Sequence, residues 1–356
     1  MASLLSGLQP DRHGVERRRS ALDRSVRTLP QWLAGAGYDT ALVTANPQIG
    51  SFFGFGRGFG ATFQLYGRRR AGSIRGTELV ARGDEVAARS LAWLATANRP
   101  FALVVLAIDP HSPYSPIAPF RSRGATSRER YQAEVRAADA ALGKILAELE
   151  RNGEIEETAI VFTSDHGEEF GEYGRTGHGG SLVDESIQIP LVLRLPRSAH
   201  SGGTRVQEPA QLVDILPTLL DLAGIEVGAE LDGTTLLAAG REERTVRASV
   251  FTPRGRLRTA RRFPWKLVVG PGPRDRALFD LRSGERTPVD IALSDGAAAA
   301  EEALSAVLAD RHPGTPARRT PAAPLPDDLR AALESLGYVD PNSPKRSATE
   351  SRDGAH

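Results

Sequence analysis

The chain has 356 residues, 40% apolar and 25% charged, enough to bury a full core as one large domain or a domain with a small subdomain. Its 45 basic and 44 acidic residues nearly cancel, so charge gives no reason to expect nucleic acid or an anionic membrane as partner. Cysteine is absent, which excludes disulfides, thiolate metal sites and a Cys nucleophile, and no apolar run reaches the roughly 18 to 20 residues of a membrane span.

The opening MASLLSGLQP lacks the basic start and apolar stretch of a signal peptide, and the compartment is left open. Ala2–Gly7 has helical spacing and stops at Gly7. Ser25–Ala36 reads as a helix with Leu29, Trp32 and Leu33 on one face, followed by a buried strand at Tyr38–Thr44. Residues 50–76, rich in Gly, aromatics and Arg, read as a long surface loop. Glu78–Ala97 is a second helix. Phe101–Ile108 (FALVVLAI) is the continuous apolar run of a parallel strand covered on both faces. Ser127–Asn152 is a long amphipathic helix capped by Ser127. Thr158–Thr163 (TAIVFT) is another central strand, and Ile189–Leu195 a further one. Val213–Leu222 is a short helix closed by Gly224.

Strands alternating with helices predict an α/β fold with a mainly parallel sheet flanked by helices. From about residue 245 short strands follow closely (Arg247–Phe251, Trp265–Val269, Ala277–Asp280), as in a small C-terminal antiparallel subdomain. The expected division is an α/β domain over 1–240, a β-rich subdomain over 241–310, a Pro/Arg-rich linker over 311–326, a helix over 327–340 and a disordered tail over 341–356.

Sites in open α/β sheets form beyond the carboxyl ends of strands. Asp109 and His111 follow FALVVLAI, and Asp165 and His166 follow TAIVFT. His178 lies in a Gly-rich stretch shortly before the next strand. Three of the seven histidines thus fall at strand ends or in the loop after one. Asp165-His166 offers a hard oxygen and an imidazole nitrogen on adjacent residues, and Gly167 permits the turn that would aim both at one divalent cation. Taken alone, the tripeptide equally admits Asp165 as a helix cap and His166 as a packing residue. In DPHSPYSP, three prolines hold the chain extended and present His111 and Tyr114, which suits an anionic ligand; a rigid surface loop is the alternative. His178 sits where glycines allow close backbone approach to a ligand, or in an exposed loop. The acidic run Glu168, Glu169 and Glu172 reads as solvated, as does Arg68-Arg69-Arg70.

The order of these segments resembles the sulfatase family of the alkaline phosphatase superfamily. The stretch from TAIVFTSDHG to IPLVLRLP is similar to its metal-ligand segment, and DPHSPYSP to its substrate-anion loop. TLPQWLAGAGYDTALVTANP, YQAEVRAADAALGKILAELE, VDILPTLLDLAGI, WKLVVG, LFDLRSGERTPV and LRAALESLGYVD follow in the family's usual order, to about Val339. The resemblance implies an alkaline-phosphatase-like fold and hydrolysis of sulfate or phosphate esters of small molecules or glycans. It implies one divalent ion (Ca, Mn, Mg or Zn) on Asp165 and His166, with His111 and His178 binding the anion.

By the same resemblance the family's nucleophile would fall just before Met1, and its first strand with acidic metal ligands further upstream. No catalytic residue is therefore assigned, and the chain as written is expected to be inactive. Met1 and Leu8 stand where formylglycine sulfatases usually carry basic residues, which leans the chemistry toward phosphoesters cleaved or transferred by Ser or Thr. The alternatives are a phosphodiesterase or phosphotransferase of the superfamily, or a catalytically dead module that binds an anion or a partner. Family members are often periplasmic or extracellular; neither compartment nor oligomeric state is legible.

Overall fold

Local chemistry sets the first elements of the computed structural model. It describes residues 1–17, 19–67, 79–121, 124–197, 203–228, 230–238, 244–272, 274–282, 288–289, 294–309 and 324–340. The expected tail, the Arg68–Arg70 cluster and most of the expected linker lie outside these residues. The chain forms two units, one of residues 1–17 and 156–317, the other of residues 18–155 and 318–356.

In the unit built around residues 18–155, α3 (Leu29–Gly35) opens on a capping box. Thr28 and Gln31 close it reciprocally, and Pro30 sits in the first turn, where a missing N–H costs nothing. The helix starts four residues later than the spacing of apolar residues predicted, because the cap decides the boundary. It feeds β1 (Asp39–Thr44), whose Ala41, Leu42 and Val43 are fully buried. β1 is central in a parallel three-stranded sheet of order β2-β1-β3, with β2 at Ala61–Gln64 and β3 at Phe101–Leu106. β2 falls in the stretch read as a structureless loop.

β3 is parallel as expected, but it lies at the end of that strand order. Val105 is 36% exposed, so the expectation of cover on both faces is corrected. α4 (Gly83–Leu94) and α5 (Ser127–Arg151) pack together in this unit, and α4 also packs against β1 and β3. Val43, Ala45, Ala81 and Val86 form a buried cluster with Phe63 and Leu103 against it. Thr126, rather than Ser127, caps α5, through a capping box with Glu129. α9 (Asp327–Ser335) belongs to the same unit and buries Leu329, Ala332 and Leu333.

In the other unit, α1 (Ala2–Ser6) ends at Gly7, whose φ of +67° is the left-handed cap that glycine takes without strain. α2 (Pro10–His13) follows. α1 packs against α7 (Ile215–Leu222), with Leu5, Leu216 and Leu220 fully buried. Each such leucine contributes about 1.5–3 kcal/mol. β4 (Ile160–Thr163) pairs with β7 (Leu191–Arg194) in the antiparallel sense, as a two-stranded sheet.

The fold is α/β with a parallel sheet flanked by helices, as expected, but this pair is antiparallel, and the reason lies in the connection. A parallel return needs a crossover, usually a helix. The chain between them instead doubles back through the short ladder of β5 (Glu169–Phe170) and β6 (Thr176–Gly177), then α6 (Asp184–Ile187). Phe162 and Val192, opposite each other in the register, are 42% and 58% exposed, so β4 is not a central strand.

The C-terminal sheet is a four-stranded antiparallel meander, β8 (Val246–Thr252), β9 (Gly255–Arg262), β10 (Trp265–Val269) and β11 (Arg276–Asp280). Four Arg residues hide the alternation of β9 in the sequence. α8 (Ala297–Ala309) covers Ala260, Leu267 and Leu278 with its own Ala297, Leu304 and Leu308. Its alanine-rich stretch carries little periodicity, and the sequence reading missed it. Among the described residues no helix is long and apolar enough to cross a membrane.

Candidate metal and anion site

The residues after β4 turn sharply. Gly167 donates its N–H to Ser186 O at 2.8 Å. A Cβ at position 167 would stand 2.0 Å from Glu185 O, so only glycine lets the two backbones meet here. This contact and the β5–β6 ladder fold the segment back, so that Glu168 and His178 face each other. Glu169 is opposite Gly177 in the ladder. Its Oε1 accepts from Ser181 Oγ (2.7 Å) and Ser186 Oγ (2.9 Å), which ties the His178 loop to α6. α6 is anchored in turn by Asp184, which accepts from the buried Lys266 Nζ (2.9 Å) and from Arg261 (3.0 Å).

On this base His166 and His178 stack, with ring centroids 4.0 Å apart and 28° between planes. His166 Nδ1 lies 2.8 Å from Gly167 O. A carbonyl can only accept, so Nδ1 carries the proton and Nε2 keeps its lone pair for a ligand. Nε2 is 3.8 Å from Asp165 Oδ1. Two ligand atoms each about 2.1 Å from one ion lie roughly 3–4 Å apart, so this spacing suits a shared cation. His178 Nδ1 donates to Glu168 Oε2 at 2.9 Å. His166, Glu168 and His178 each offer one donor atom, all within 4.8 Å of one another. Two imidazoles and a carboxylate, with Asp165 beside them, form a mixed nitrogen and oxygen set that fits a divalent cation.

Desolvation pushes the Asp165 carboxyl up, but positive charge beside it, that of a protonated His166 and of the amino terminus, outweighs this and holds the carboxyl below its ordinary value; a bound cation would stand in for the proton on His166. The ionised form is the one that binds a cation. The side chains of Asp165 and His166 are 36% and 38% exposed, so an ion can reach them.

The expected pair Asp165-His166 and the expected His178 therefore come together in one unit. The solvated reading of the acidic run does not hold for Glu168 and Glu169, which are 9% and 2% exposed. An alternation of faces through the ladder, Glu168 toward His178 and Glu169 toward Ser181, was the signal in the sequence. It is only two residues long.

His111 lies in the other unit. Its Nδ1 donates to Ser112 O at 2.6 Å, and its ring stands edge-on to Tyr338 at 5.2 Å. Tyr114 of the same loop stands edge-on to Tyr131 of α5 at 5.6 Å.

A further acid/base contact, Ser3 Oγ with His13 Nε2 at 3.0 Å, resembles a nucleophile and its base. The other ring nitrogen argues against it. His13 Nδ1 accepts from Val15 N–H at 3.0 Å, so Nε2 bears the proton and donates to Ser3. Burial drives the His13 imidazole down to about 3, and it stays neutral.

The family model described as Sulfatase matches residues 1–225. The N-acetylglucosamine-6-O-sulfatase of Bacteroides thetaiotaomicron is 38% identical over 106 residues, 30% of this chain and 19% of that protein. The Ulvan-active sulfatase of Formosa agariphila is 32% identical over 160 residues, 39% of this chain and 31% of that protein. This chain thus spans well under half the length of either relative. Among solved structures, the phosphonate monoester hydrolase of Agrobacterium radiobacter aligns over 86% of this chain and 84% of its own, with a TM-score of 0.70 and 22% identity, a likeness of fold.

Proposed function

This chain belongs to the sulfatase family, and on that premise we propose that it serves hydrolysis of sulfate or phosphate esters through one divalent cation held by Asp165 and His166. The observation that carries the proposal is the pairing of His166 Nε2, left with its lone pair by the bond from Nδ1 to Gly167 O, with Asp165 Oδ1 at 3.8 Å. A cation bound there supplies Lewis-acid polarisation of a sulfuryl or phosphoryl oxygen.

This chain's own residues do the rest. Asp165 contributes a charged oxygen and His166 a neutral nitrogen. Glu168, within 4.8 Å of the ligand atoms of His166 and His178, is a third candidate ligand and fixes the tautomer of His178. His178, stacked on His166, is proposed to meet the substrate anion, and His111, on its own unit, to bind the same class of anion. No attacking group is assigned. The ester is proposed to sit on a small molecule or a glycan, in keeping with the names of the two relatives. The metal is Ca, Mn, Mg or Zn.

Calorimetric titration with each ion tests the reading. One ion per chain is expected for wild type with at least one of the four, and none for Asp165→Ala. Equal heats from the two proteins would refute it.

A further inference from the structure

Two acids in the unit built around residues 18–155, Glu134 buried and Asp109 half-buried, are used by nothing described so far. Asp109 opens the Pro-rich loop 109–116, and its Oδ1 accepts from Gly83 N–H at 2.9 Å, the first residue of α4. Glu134, 2% exposed on α5, accepts at Oε1 from Ser115 N–H at 3.0 Å, near the end of the same loop. Arg82, the N-cap residue of α4, joins the two. It donates to Ser115 O at 3.1 Å and stands 3.7 Å from Glu134 Oε1. Both ends of the loop are therefore pinned by carboxylates, one to α4 and one to α5, and the rigid stretch between them carries His111 and Tyr114.

The pinning is incompletely satisfied. Asp109 Oδ2 and Glu134 Oε2 are buried, with no hydrogen-bond partner among the described residues. A simple surface brace would not leave two carboxylate oxygens dry. The groups that face them are few. Around Asp109 are the Gly83 N–H, Arg82 and Asp84; around Glu134 are Arg82, Asp109 and the Ser115 N–H. One guanidinium thus faces two nearby acids.

We propose that Glu134, Asp109 and Arg82 are positioning residues that clamp both ends of the loop bearing His111, and that ionisation of the buried carboxyl oxygens, which one guanidinium alone faces, loosens the clamp. The proposal rests on the reading of His111 as an anion-binding residue. Burial raises both carboxyls from their ordinary values, and the charge of Asp109 adds to this at Glu134. A folded-state value above the unfolded one means that the folded chain holds the proton more tightly. The clamp's contribution to stability is then full at low pH and is lost as pH rises through the folded-state values.

The test uses amide and ring resonances with inorganic sulfate as probe. In wild type, the Ser115 and Gly83 amide protons are each expected to shift with pH above the ordinary carboxylate value, and the Tyr114 ring to shift with the midpoint of Ser115. A merely structural acid would leave the Tyr114 ring still. Glu134→Gln keeps an acceptor for Ser115; it should retain sulfate affinity within about twofold, by the small cost of replacing one acceptor with another, and lose the step. Glu134→Ala should weaken sulfate binding at His111 by about tenfold, the size of one lost hydrogen bond to a charged group.

A flat Tyr114 titration, or a folded Glu134→Ala protein with unchanged sulfate affinity, overturns the clamp. If His111→Gln leaves sulfate binding intact, the anion role of His111 fails instead, and the Ser115 and Tyr114 step still judges the clamp.

Discussion

Two loops that begin at strand ends use the same residue types in opposite ways. After β4, Asp165 and Glu168 turn toward imidazoles, and the backbone is held by other groups: Gly167 to Ser186 O, Glu169 to two serines. After β3, Asp109 binds the backbone of α4, while Glu134 binds the backbone of the loop itself. Acid beside histidine is therefore not the mark of a metal site. The mark is what the acid's oxygens face. Where they face donors on the chain, as Glu168 Oε2 faces the Nδ1–H of His178, the acid is a mount; Asp165 Oδ1, which lies near the Nε2 of His166, is the oxygen that a shared cation would reconcile with its neighbour.

The sharpest way to break this contrast is to remove one acid from each loop. Asp165→Ala is expected to lower divalent affinity by more than about 100-fold, since a direct ligand must count for more than its support. It should barely move the melting temperature. Asp109→Ala should do the reverse: about 1–2 kcal/mol of stability lost with the α4 cap, and metal uptake unchanged. Equal effects on both readouts for both variants would erase the distinction.

Gly167→Ala comes next, because its Cβ must displace Glu185 O from 2.0 Å. We expect about 1–3 kcal/mol of destabilisation in urea unfolding, together with weakened metal uptake. Glu168→Gln keeps shape but not charge, and should cost about tenfold in Mn²⁺ affinity by calorimetry.

His13 supplies the baseline for a histidine outside both loops. Its folded value, about 3, lies below the unfolded one. The unfolded chain therefore takes up a proton first, and stability should fall by about 1.4 kcal/mol for each pH unit below roughly 6.5. His13→Gln should flatten that slope in denaturation curves taken at pH 7, 6 and 5; an unchanged slope would show that His13 is not buried neutral.

Much of the candidate site was legible because its residues are rare and stand at strand ends or in the loop after one. Asp165, His166 and His178 were found by position, and the order of segments supplied their meaning. Glu168 was not found, since an acidic run looks the same whether it faces water or an imidazole until the β5–β6 ladder sets its faces. The fold was readable where a capping box or an apolar run is local, as at Thr28 and in β1. It was misread at β4 and β7 because strand direction depends on what the connection does, and 27 residues of Gly-rich chain carry no crossover signal. α8 was missed for a related reason: its alanines favour a helix without marking a face.

The most direct measurement follows the imidazole resonances of His166 and His178 while Mn²⁺ is added below one equivalent. A paramagnetic ion held by Asp165 and His166 should broaden both signals selectively in wild type and neither in Asp165→Ala. Uniform broadening across the histidines, or broadening of His166 and His178 that survives Asp165→Ala, would contradict a cation site at this pair.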